Sequence, residues 1–365
     1  MDWFGAGEGV RSRLTVLEGD IHQPMPGLGN GDAAQVIREA DEVVHCASDT
    51  SFSARKREQV ERTNLQGLEN LLDVVKKTRC RAFHLVSTAY VAGKAVGLCP
   101  EALRQADGFH NVYEETKFRA EWLAARRCAE NAIKLYVHRP SIVYGDAETG
   151  RTLAFNGLYY PVRTVHYFQK LYTRDILENE GKKARDMGIH LNRDGTLHMP
   201  LRIVTQDDSG INLVPVDYFV RAFMAIREEA PEGGVFHIVN SRNTGIRELV
   251  DHTMRFFGLT GLRAVSPDAF AMHPANGLEL MFENHVQVYG PYMMDKRVFG
   301  NSATAAVTAK HNIACPAFDY SVFAVCMRYA VAVDWGKTQG RERGEACGKK
   351  HLMDTGKSNR RKNAG

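Results

Sequence analysis

Segments typical of strands alternate with segments typical of helices from Leu14 to Gly145, and this alternation constrains the fold more than any other feature of the sequence. Short apolar runs such as DEVVHCAS (Asp41–Ser48) are followed by helical periodicities such as REQVERTNLQGLENLLDVVKKT (Arg57–Thr78). Parallel strands need such crossovers, because each connection must return to the same end of the sheet. The sequence therefore predicts an α/β fold with a doubly wound parallel sheet and ligands at the carboxyl ends of its strands.

The same patterns assign individual elements. RLTVLEGDI predicts a strand over Leu14–Leu17 that stops at Gly19-Asp20. In the helical region Arg57–Thr78, one face carries Val60, Asn64, Leu68, Leu71, Leu72 and Val75. We further predict strands within 81–93 and 133–145, a helix over 111–131 and a mostly helical region over 244–335.

The positive charge of the chain is concentrated near its end. Residues 336–365 contain nine Lys and Arg but three Asp and Glu, and we predict a disordered basic tail there. The formal net charge of the whole chain is +4, so the remainder carries about −2. Nucleic-acid-binding domains carry their positive charge on the folded part, so we predict no nucleic-acid partner. Contact of the tail with anionic lipid or RNA is the alternative.

Cysteine, histidine and hydropathy patterns exclude several kinds of site. The seven cysteines contain no C-x-x-C pair and no ligand spacing with histidine, so we predict no metal site. An odd set of cysteines without a signal peptide is typical of reduced thiols in a cytoplasmic protein. The apolar stretch Tyr320–Trp335 is too short to span a membrane and contains Arg328, which favours a packed helix.

Three glycines near the start, Gly5, Gly7 and Gly9 in FGAGEGVRSRLTVLEGD, superficially match a phosphate-binding turn. Such a turn follows a strand and opens a helix, so that the helix N-terminus faces the anion. Here four residues precede the first glycine, and a predicted strand follows the last. We therefore interpret the glycines as a loop that leads into the strand.

Tyr113 and Lys117 form the most informative polar pair of the sequence. They are four residues apart on a predicted helix and therefore lie on the same face, one turn apart. A phenol with a pKa of about 10 is a poor acid at neutral pH, and a neighbouring ammonium lowers that pKa. The pair is typical of proton transfer at the tyrosine, with chance spacing on a surface helix as the alternative.

Hydroxyl and amide groups at three other positions could join this pair. Ser87 and Thr88 follow a predicted strand, where a hydroxyl either reaches a substrate carbonyl or satisfies backbone groups. Asn64 lies on the apolar helix face, where a buried amide needs partners. It either bonds a backbone carbonyl or holds a water molecule behind Lys117.

Six motifs resemble, in order and spacing, those of extended short-chain dehydrogenases/reductases. They are GDI at Gly19, VVHCAS at Val43, NLQGLENLL at Asn64, VSTAYVAG at Val86, Tyr113-x-x-x-Lys117 and HRPSIVYG at His138. STAYVAG, VPVDY (Val214–Tyr218) and a later YGPYM…C-P-x-F-D pattern resemble the fatty acyl-CoA and thioester reductase branch, with its male-sterility-type NAD-binding domain. The resemblance extends over Leu14–Trp335 and implies a Rossmann-like fold.

The resemblance implies a role for each matching residue. Tyr113 would donate a proton to the reacting oxygen, Lys117 would bind the nicotinamide ribose, and Thr88 would hydrogen-bond the carbonyl or thioester oxygen. Asn64 would complete the catalytic set. The cofactor would be NADP or NAD, with NADPH favoured, and it supplies hydride. Further cofactor contacts would come from Asp20 and Ile21 at the adenine, from Ala47, Ser48 and Ser87 along the dinucleotide, and from Pro140, Ser141, Ile142 and Val143 at the nicotinamide.

The resemblance also implies the domain organisation. Residues 1–150 would form a truncated Rossmann-like NAD(P)-binding part and 151–210 an insertion of the substrate lobe. Residues 211–243 would return to the Rossmann-like part, and 244–335 would form a smaller, mostly helical substrate lobe. VPVDY and the aromatic stretch Ala154–Tyr172 favour an apolar acyl substrate, although the aromatic stretch could equally be ordinary core. The expected partner is an acyl thioester or a fatty aldehyde.

One part of the family pattern does not occur in this sequence. The family fold opens with a strand, a T-G-x-x-G-x-x-G turn, a helix and a second strand, which bind the pyrophosphate, and none of the 365 residues match that turn. Relative to the family fold, the sequence lacks two βα units of about 30 residues each, so we expect it to begin roughly 60 residues after the start of that fold. Three explanations are a true start upstream of Met1, a broken gene, or a second polypeptide that supplies the unit. Each predicts weak NAD(P)H binding.

Three functions remain open from the sequence. The first is an NAD(P)H-dependent reductase of acyl thioesters or long-chain aldehydes, which is expected to be inactive or weak as this truncated chain and active only with a complete N-terminal part. The second is a sugar-nucleotide epimerase or dehydratase, or a hydroxysteroid-type dehydrogenase, of the same superfamily. The third is a non-catalytic remnant that acts as a binding partner or has no role.

Overall fold

The computed structural model describes residues 7–337, so Gly5 and residues 338–365 of the predicted basic tail lie outside the described residues. In chain order the strands are β1 (Glu42–His45), β2 (Ala82–Val86), β3 (Leu98–Cys99), β4 (Lys134–Pro140), β5 (Ile142–Tyr144), β6 (His190–Leu191), β7 (Leu197–Val204), β8 (Gly210–Ile211), β9 (Leu213–Pro215), β10 (Gly234–Ile238), β11 (Thr244–Gly245), β12 (Leu259–Val265) and β13 (Val298–Phe299). The helices are α1 (Glu8–Arg11), α2 (Asn30–Glu39), α3 (Arg57–Glu61), α4 (Gly67–Val75), α5 (Val112–Glu130), α6 (Tyr159–Glu178), α7 (Lys182–Asp186), α8 (Val216–Glu229), α9 (Ile246–Phe257), α10 (Pro267–Ala271), α11 (Gly277–Val286), α12 (Gly290–Met293), α13 (Ser302–Lys310) and α14 (Tyr320–Ala332).

The chain divides into two compact units, each made of several chain segments. The first unit contains Met1–Pro140, Phe223–Ile238 and Arg297–His311, and the second contains Ser141–Ala222, Val239–Lys296 and Asn312–Gly365. This division assigns Arg297–His311 to the first unit, whereas the sequence-based boundaries put it in the C-terminal lobe. The lobe assignments themselves stay predictions.

The first unit is built on a four-stranded sheet with the order β1-β2-β4-β10. All three pairings are parallel, with Val43 opposite Phe83 and Phe83 opposite Leu135. Helices α4 and α5 cover one face of this sheet, because their apolar sides bury Leu68, Leu72, Ala120 and Ala124 against Phe83 and Leu85. The predicted α/β fold with a parallel sheet is confirmed.

The predicted helix over Arg57–Thr78 is interrupted by a π-helical turn. Helix α3 is followed by the π turn Arg62–Gln66 and then by α4. On the predicted face, Val60, Asn64, Leu68, Leu72 and Val75 are buried and Leu71 is half-buried. A π turn inserts one residue into the helical repeat, and such turns occur frequently at functional sites. Here it carries Asn64.

The predicted strand over Leu14–Leu17 is wrong. These residues have no regular structure, and the side chain of Val16 is 87% exposed. A strand needs a neighbouring strand for its backbone hydrogen bonds. Within residues 7–337, β1 pairs with β2 and forms the edge of the sheet, so no further strand lies beyond it. The following loop is closed locally instead, by a hydrogen bond of 2.8 Å from the Asp20 amide to the Pro26 carbonyl.

The second unit has its own small sheets. Strand β7 pairs in parallel with β12 and antiparallel with β6, while β5 pairs in parallel with β9. The seven-residue strand β12 corrects the prediction that 244–335 is mostly helical in this part. Gly258 ends α9 with φ +63°, a left-handed conformation that glycine adopts without strain, and thereby directs the chain into β12. Among residues 7–337, no helix is both long and apolar enough to cross a membrane.

Candidate active site

Helix α5 and the end of strand β2 bring three of the predicted residues together in the first unit. The Asn111 side chain caps α5 by accepting a hydrogen bond of 3.0 Å from the Glu114 amide, which places Tyr113 in the first turn. Strand β2 ends at Val86, and the Ser87 amide donates to the His138 carbonyl at 2.7 Å. Thr88 follows and hydrogen-bonds the Tyr113 side chain.

Thr88 is buried and Tyr113 is half-buried, and their hydroxyl groups hydrogen-bond each other. Thr88 Oγ1 lies 3.3 Å from the Tyr90 amide, which donates to it, and 3.4 Å from the Pro140 carbonyl. The ring of Phe52 lies against Tyr113, with a centroid separation of 5.9 Å. Burial raises the pKa of Tyr113 to about 12, and the hydrogen bond from Thr88 opposes that rise. The net shift of the Tyr113 pKa is therefore opposite to the lowering that the sequence predicted from Lys117.

Lys117 is buried beside the same strand end. Its Nζ donates to the Val86 carbonyl at 2.6 Å, and its side chain is almost inaccessible to solvent. Burial lowers the pKa of Lys117 to about 8, while the negative charge of Glu121 and the Cys46 thiol oppose the shift. In turn, burial and the charge of Lys117 lower the pKa of His45 to about 4. The ammonium group is thus close to the residues that follow β1.

Asn64 uses both ends of its amide to fasten the loop after β1 to α5. Its Oδ1 accepts from Ser48 Oγ at 3.1 Å and from the Asp49 amide at 2.7 Å. Its Nδ2 donates to the Asp49 carbonyl at 2.9 Å and to Thr116 Oγ1 at 3.0 Å. The bond to the Asp49 carbonyl agrees with the first predicted role of Asn64, which is to bond a backbone carbonyl. Its second predicted role, holding a water molecule behind Lys117, stays a prediction.

We expect Asn64→Ala to destabilise the first unit by about 1–3 kcal/mol, because it leaves buried backbone and hydroxyl groups without partners. Urea unfolding of the variant measures the loss. Asn131→Ala is the matched control, since that exposed amide makes one local bond, to the Arg127 carbonyl, and should change stability by less than about 0.5 kcal/mol. Equal stability of the two variants would contradict the anchoring role of Asn64.

The predicted adenine contacts, Asp20 and Ile21, are engaged in local structure. The Asp20 carboxylate accepts from the His22 amide at 2.9 Å, and this bond holds the pKa of the carboxyl below its usual value. Ile21 packs against the backbone of Gly67, where a Cβ would come within 3.0 Å of its side chain. Of the residues predicted along the dinucleotide, Ala47 is exposed and Ser48 is half-buried, while Ser87 is buried.

The predicted nicotinamide segment crosses the boundary between the two units. Pro140 ends β4 in the first unit, and Ser141 begins the second. Ile142 and Val143 belong to β5, and the Val143 side chain is exposed. Ser141 is buried, and its Oγ has no hydrogen-bond partner among residues 7–337.

The donor groups fit the reacting end of a nicotinamide cofactor. The hydroxyls of Thr88 and Tyr113 and the ammonium of Lys117 can bond a carbonyl oxygen and ribose hydroxyls. The pyrophosphate is a different case, because residues 7–337 contain no T-G-x-x-G-x-x-G turn between a strand and a helix. The fit therefore concerns the nicotinamide end.

The aromatic stretch Ala154–Tyr172 lies in the second unit and is mostly core. Its buried hydrophobic residues are Phe155, Leu158, Tyr159, Val162, Val165, Phe168 and Tyr172. Tyr159 hydrogen-bonds the Gly145 amide through its hydroxyl, whereas Tyr167 is exposed. These contacts agree with the ordinary-core interpretation.

Three residues of the site escaped the sequence analysis. Phe52 lies on Tyr113, and Glu121 forms a buried ion pair with Arg139, with 2.6 Å between Glu121 Oε2 and an Arg139 terminal nitrogen. The signal for Glu121 was its spacing, since it is four residues after Lys117 and therefore on the same helix face. No sequence signal identified Phe52.

The NAD-binding family model described as "Male sterility protein" matches residues 3–223 of this chain. A hybrid PKS-NRPS synthetase of Talaromyces variabilis is 31% identical over 140 residues, which are 38% of this chain and 3% of that protein. An isonitrile lipopeptide synthase of Streptomyces coeruleorubidus is 29% identical over 145 residues, 39% of this chain and 10% of that protein. The chain therefore matches a small part of these relatives.

Solved structures share the fold over most of the chain. The terminal R domain of the myxalamid PKS-NRPS biosynthetic pathway has a TM-score of 0.65 and 24% identity, covering 91% of this chain and 78% of that one. An archaeal thiolation-reductase di-domain of a non-ribosomal peptide synthetase has a TM-score of 0.66 and 16% identity, covering 92% and 66%. A UDP-glucuronic acid 4-epimerase of Bacillus cereus follows with 0.54 and 15%, covering 91% and 84%. At these identities the likeness establishes a Rossmann-like fold and leaves the reaction open.

Proposed function

The chain belongs to the male sterility protein family of NAD-binding domains, and from this premise we propose that it is an NAD(P)H-dependent reductase of acyl thioesters. The matched relatives include PKS-NRPS synthetases, and the similar structures include reductase domains. A carrier-bound or coenzyme A thioester is thus the proposed substrate class, with a long-chain aldehyde as the product or second substrate.

The observation that carries the proposal is the grouping of Thr88, Tyr113 and Lys117 at the end of β2. Bound NAD(P)H would supply hydride to the carbonyl carbon. Thr88 would orient the carbonyl oxygen, and Tyr113 would donate its proton to that oxygen as negative charge develops there. The resulting hemithioacetal would then break its C–S bond, release the thiol with the hydroxyl proton and leave the aldehyde. Lys117 would hold the ribose and keep a positive charge beside the site.

Oxidation of NADPH tests the proposal when the chain is mixed separately with an acyl-CoA, a fatty aldehyde and a UDP-sugar. The 365-residue chain is assayed in parallel with the product that includes any residues encoded in frame upstream. We expect NADPH oxidation with the thioester. Conversion of the UDP-sugar without net NADPH oxidation, followed by chromatography of the sugar nucleotide, would instead favour the epimerase or dehydratase alternative. No turnover by either protein with any substrate would support the non-catalytic alternative.

The pH dependence of kcat/KM should have a basic limb with an apparent pKa of about 8, the value of Lys117. The rate should fall above that pH because Lys117 loses its charge, while Tyr113, with a pKa raised to about 12, keeps its proton. Lys117→Arg keeps the charge to much higher pH and should remove this limb. A limb that stays at pH 8 in this variant would assign it to another group.

A further inference from the structure

Three side chains on one face of α5 contact three consecutive residues at the end of β2. Tyr113 hydrogen-bonds Thr88, Lys117 donates to the Val86 carbonyl at 2.6 Å, and Ser87 Oγ donates to Glu121 Oε1 at 2.5 Å. The helical residues are spaced by four, so each lies one turn beyond the last. The helix therefore fixes the strand end through Glu121 as well as through the two residues of the predicted catalytic pair.

Glu121 is itself held by a buried arginine. Arg139 donates from Nε to Glu121 Oε1 at 2.9 Å and from a terminal nitrogen to Oε2 at 2.6 Å, a bidentate pair with both side chains at least nine-tenths buried. The other terminal nitrogen lies 3.1 Å from the Ala102 carbonyl and 3.2 Å from His237 Nε2. His237 Nδ1 is 2.7 Å from the Gly300 carbonyl, so this nitrogen carries the proton and Nε2 accepts from Arg139.

The charges of this network are arranged in the order Lys117, Glu121 and Arg139. A buried carboxylate between two buried cations attracts both of them. This attraction offsets the repulsion between the cations and part of the free energy lost when each charge is removed from water. We propose that Glu121 and Arg139 are positioning residues for the reductase site: together they fix Ser87, and with it Thr88, and the carboxylate of Glu121 keeps the side chain of Lys117 charged. This inference rests on the proposed function for its catalytic consequence, but its electrostatic part can be measured without any turnover.

The titration of Lys117 depends on all the ionisable groups around it. From the β1 side these are His45 and the Cys46 thiol, and from α5 the group is Glu121, with Arg139 behind it. His45 is neutral near pH 7, because burial and the charge of Lys117 lower its pKa to about 4. Burial likewise raises the pKa of the Cys46 thiol, which is therefore uncharged there. Glu121 is thus the negative charge that compensates Lys117.

The test follows the titration of Lys117 by NMR in the full chain labelled with 13C at lysine Cε. The resonance is assigned as the one that disappears in Lys117→Met. In Glu121→Gln we expect the midpoint to fall by about one pH unit or more, because Arg139 then faces Lys117 without a carboxylate between them. Glu130→Gln is the matched control on the same helix, at an exposed glutamate, and should leave the midpoint unchanged.

Two further variants separate the charge from the fold. Glu121→Asp keeps the carboxylate but withdraws it by one methylene, so it should lower the midpoint by a smaller amount and remain folded. The double variant Glu121→Gln with Arg139→Gln removes both charges, and its midpoint should return toward the wild-type value. A wild-type midpoint in either folded Glu121 variant would overturn the inference, as would an equal fall in the single and double variants.

Kinetics of the same variants tests the catalytic consequence. We expect Glu121→Asp and Ser87→Ala to lower kcat about tenfold with KM for the thioester nearly unchanged, since both act on the placement of Thr88 and Lys117. The basic limb of the pH profile should move down in Glu121→Asp and stay in place in Ser87→Ala. If the wild-type protein has no turnover while the NMR midpoints shift as stated, the proposed function fails and the electrostatic assignment stands. If turnover is present and the midpoints do not shift, the reverse holds.

Discussion

Replacement of Tyr113 by phenylalanine should lower thioester reduction by about 10²- to 10⁴-fold, the usual contribution of a positioned general acid. The phenol hydroxyl bonds Thr88 and carries a proton that it can give to a bound oxygen. Its ring also contacts Phe52, and this packing is retained by phenylalanine. The loss should therefore appear in kcat, while the affinity for NADPH, measured by fluorescence titration, stays within about twofold.

Tyr136→Phe is the control for the loss of a tyrosine hydroxyl in the same unit. Tyr136 lies in β4, is buried, and stacks on His84 at a centroid distance of 4.2 Å. No catalytic role is proposed for it. Its variant should keep full turnover. Turnover of Tyr113→Phe equal to that of the control would remove Tyr113 as the proton donor.

Replacement of Glu279 by alanine should destabilise the second unit by about 3–5 kcal/mol, because it breaks a largely buried ion pair and leaves the Arg202 charge without a carboxylate to compensate it. Glu279 accepts from the Arg202 Nε at 2.6 Å and from the Arg202 amide at 3.0 Å. It also accepts from the Asn276 amide at 2.9 Å, which completes the N-terminal cap of α11. One carboxylate thus links β7 to α11, and hydrogen exchange of the β7 amides should report its loss.

Glu178→Ala is the matched control, because Glu178 forms an equally short pair with Arg174, at 2.7 Å, with both side chains mostly exposed. Exposed pairs contribute less than about 1 kcal/mol, so this variant should be nearly as stable as the wild type. Comparable losses in both variants would show that burial does not govern the strength of these pairs.

Acid should weaken the second unit through the same carboxylate. Burial alone would raise the pKa of Glu279, but the hydrogen bonds from Arg202 and from the Asn276 amide outweigh it and lower the pKa below the usual value. The pair therefore stabilises the fold fully above the ordinary carboxyl pKa, and this contribution is lost as the pH falls through the lowered value. In Glu279→Ala the midpoint of acid unfolding, followed by circular dichroism, should lie at higher pH and the transition should be less steep. An unchanged acid transition would contradict this assignment.

The sequence located much of the candidate site because short-range geometry dictates it. A spacing of four residues puts Tyr113, Lys117 and Glu121 on one helix face whatever surrounds the helix. Hydroxyls that follow an apolar strand lie at the carboxyl edge of a parallel sheet, which is where Thr88 is found. These inferences depend on local periodicity, and the family match confirms the resemblance that the motifs indicated.

Inferences that depend on a neighbouring element were less successful. Leu14–Leu17 alternates like a strand, yet within residues 7–337 it has no strand to pair with and remains irregular. Leu259–Val265 was assigned to a helical region, but the edge of β7 makes it a strand. Strand formation depends on distant partners, so its prediction from local pattern is less certain than that of a helix.

The sequence by itself determined the parallel α/β architecture, the family and the order of the polar residues along α5 and β2, because periodicity and spacing are local properties of the chain. The tertiary structure alone decided the state of those residues. Burial lowers the pKa of Lys117 and raises that of Tyr113, whereas the pair in isolation predicts a lowered pKa for the tyrosine. The tertiary structure also joins Arg139 to Glu121, 18 positions apart in the sequence. Desolvation and long-range charge depend on which groups fold together, and spacing along the chain does not contain that information.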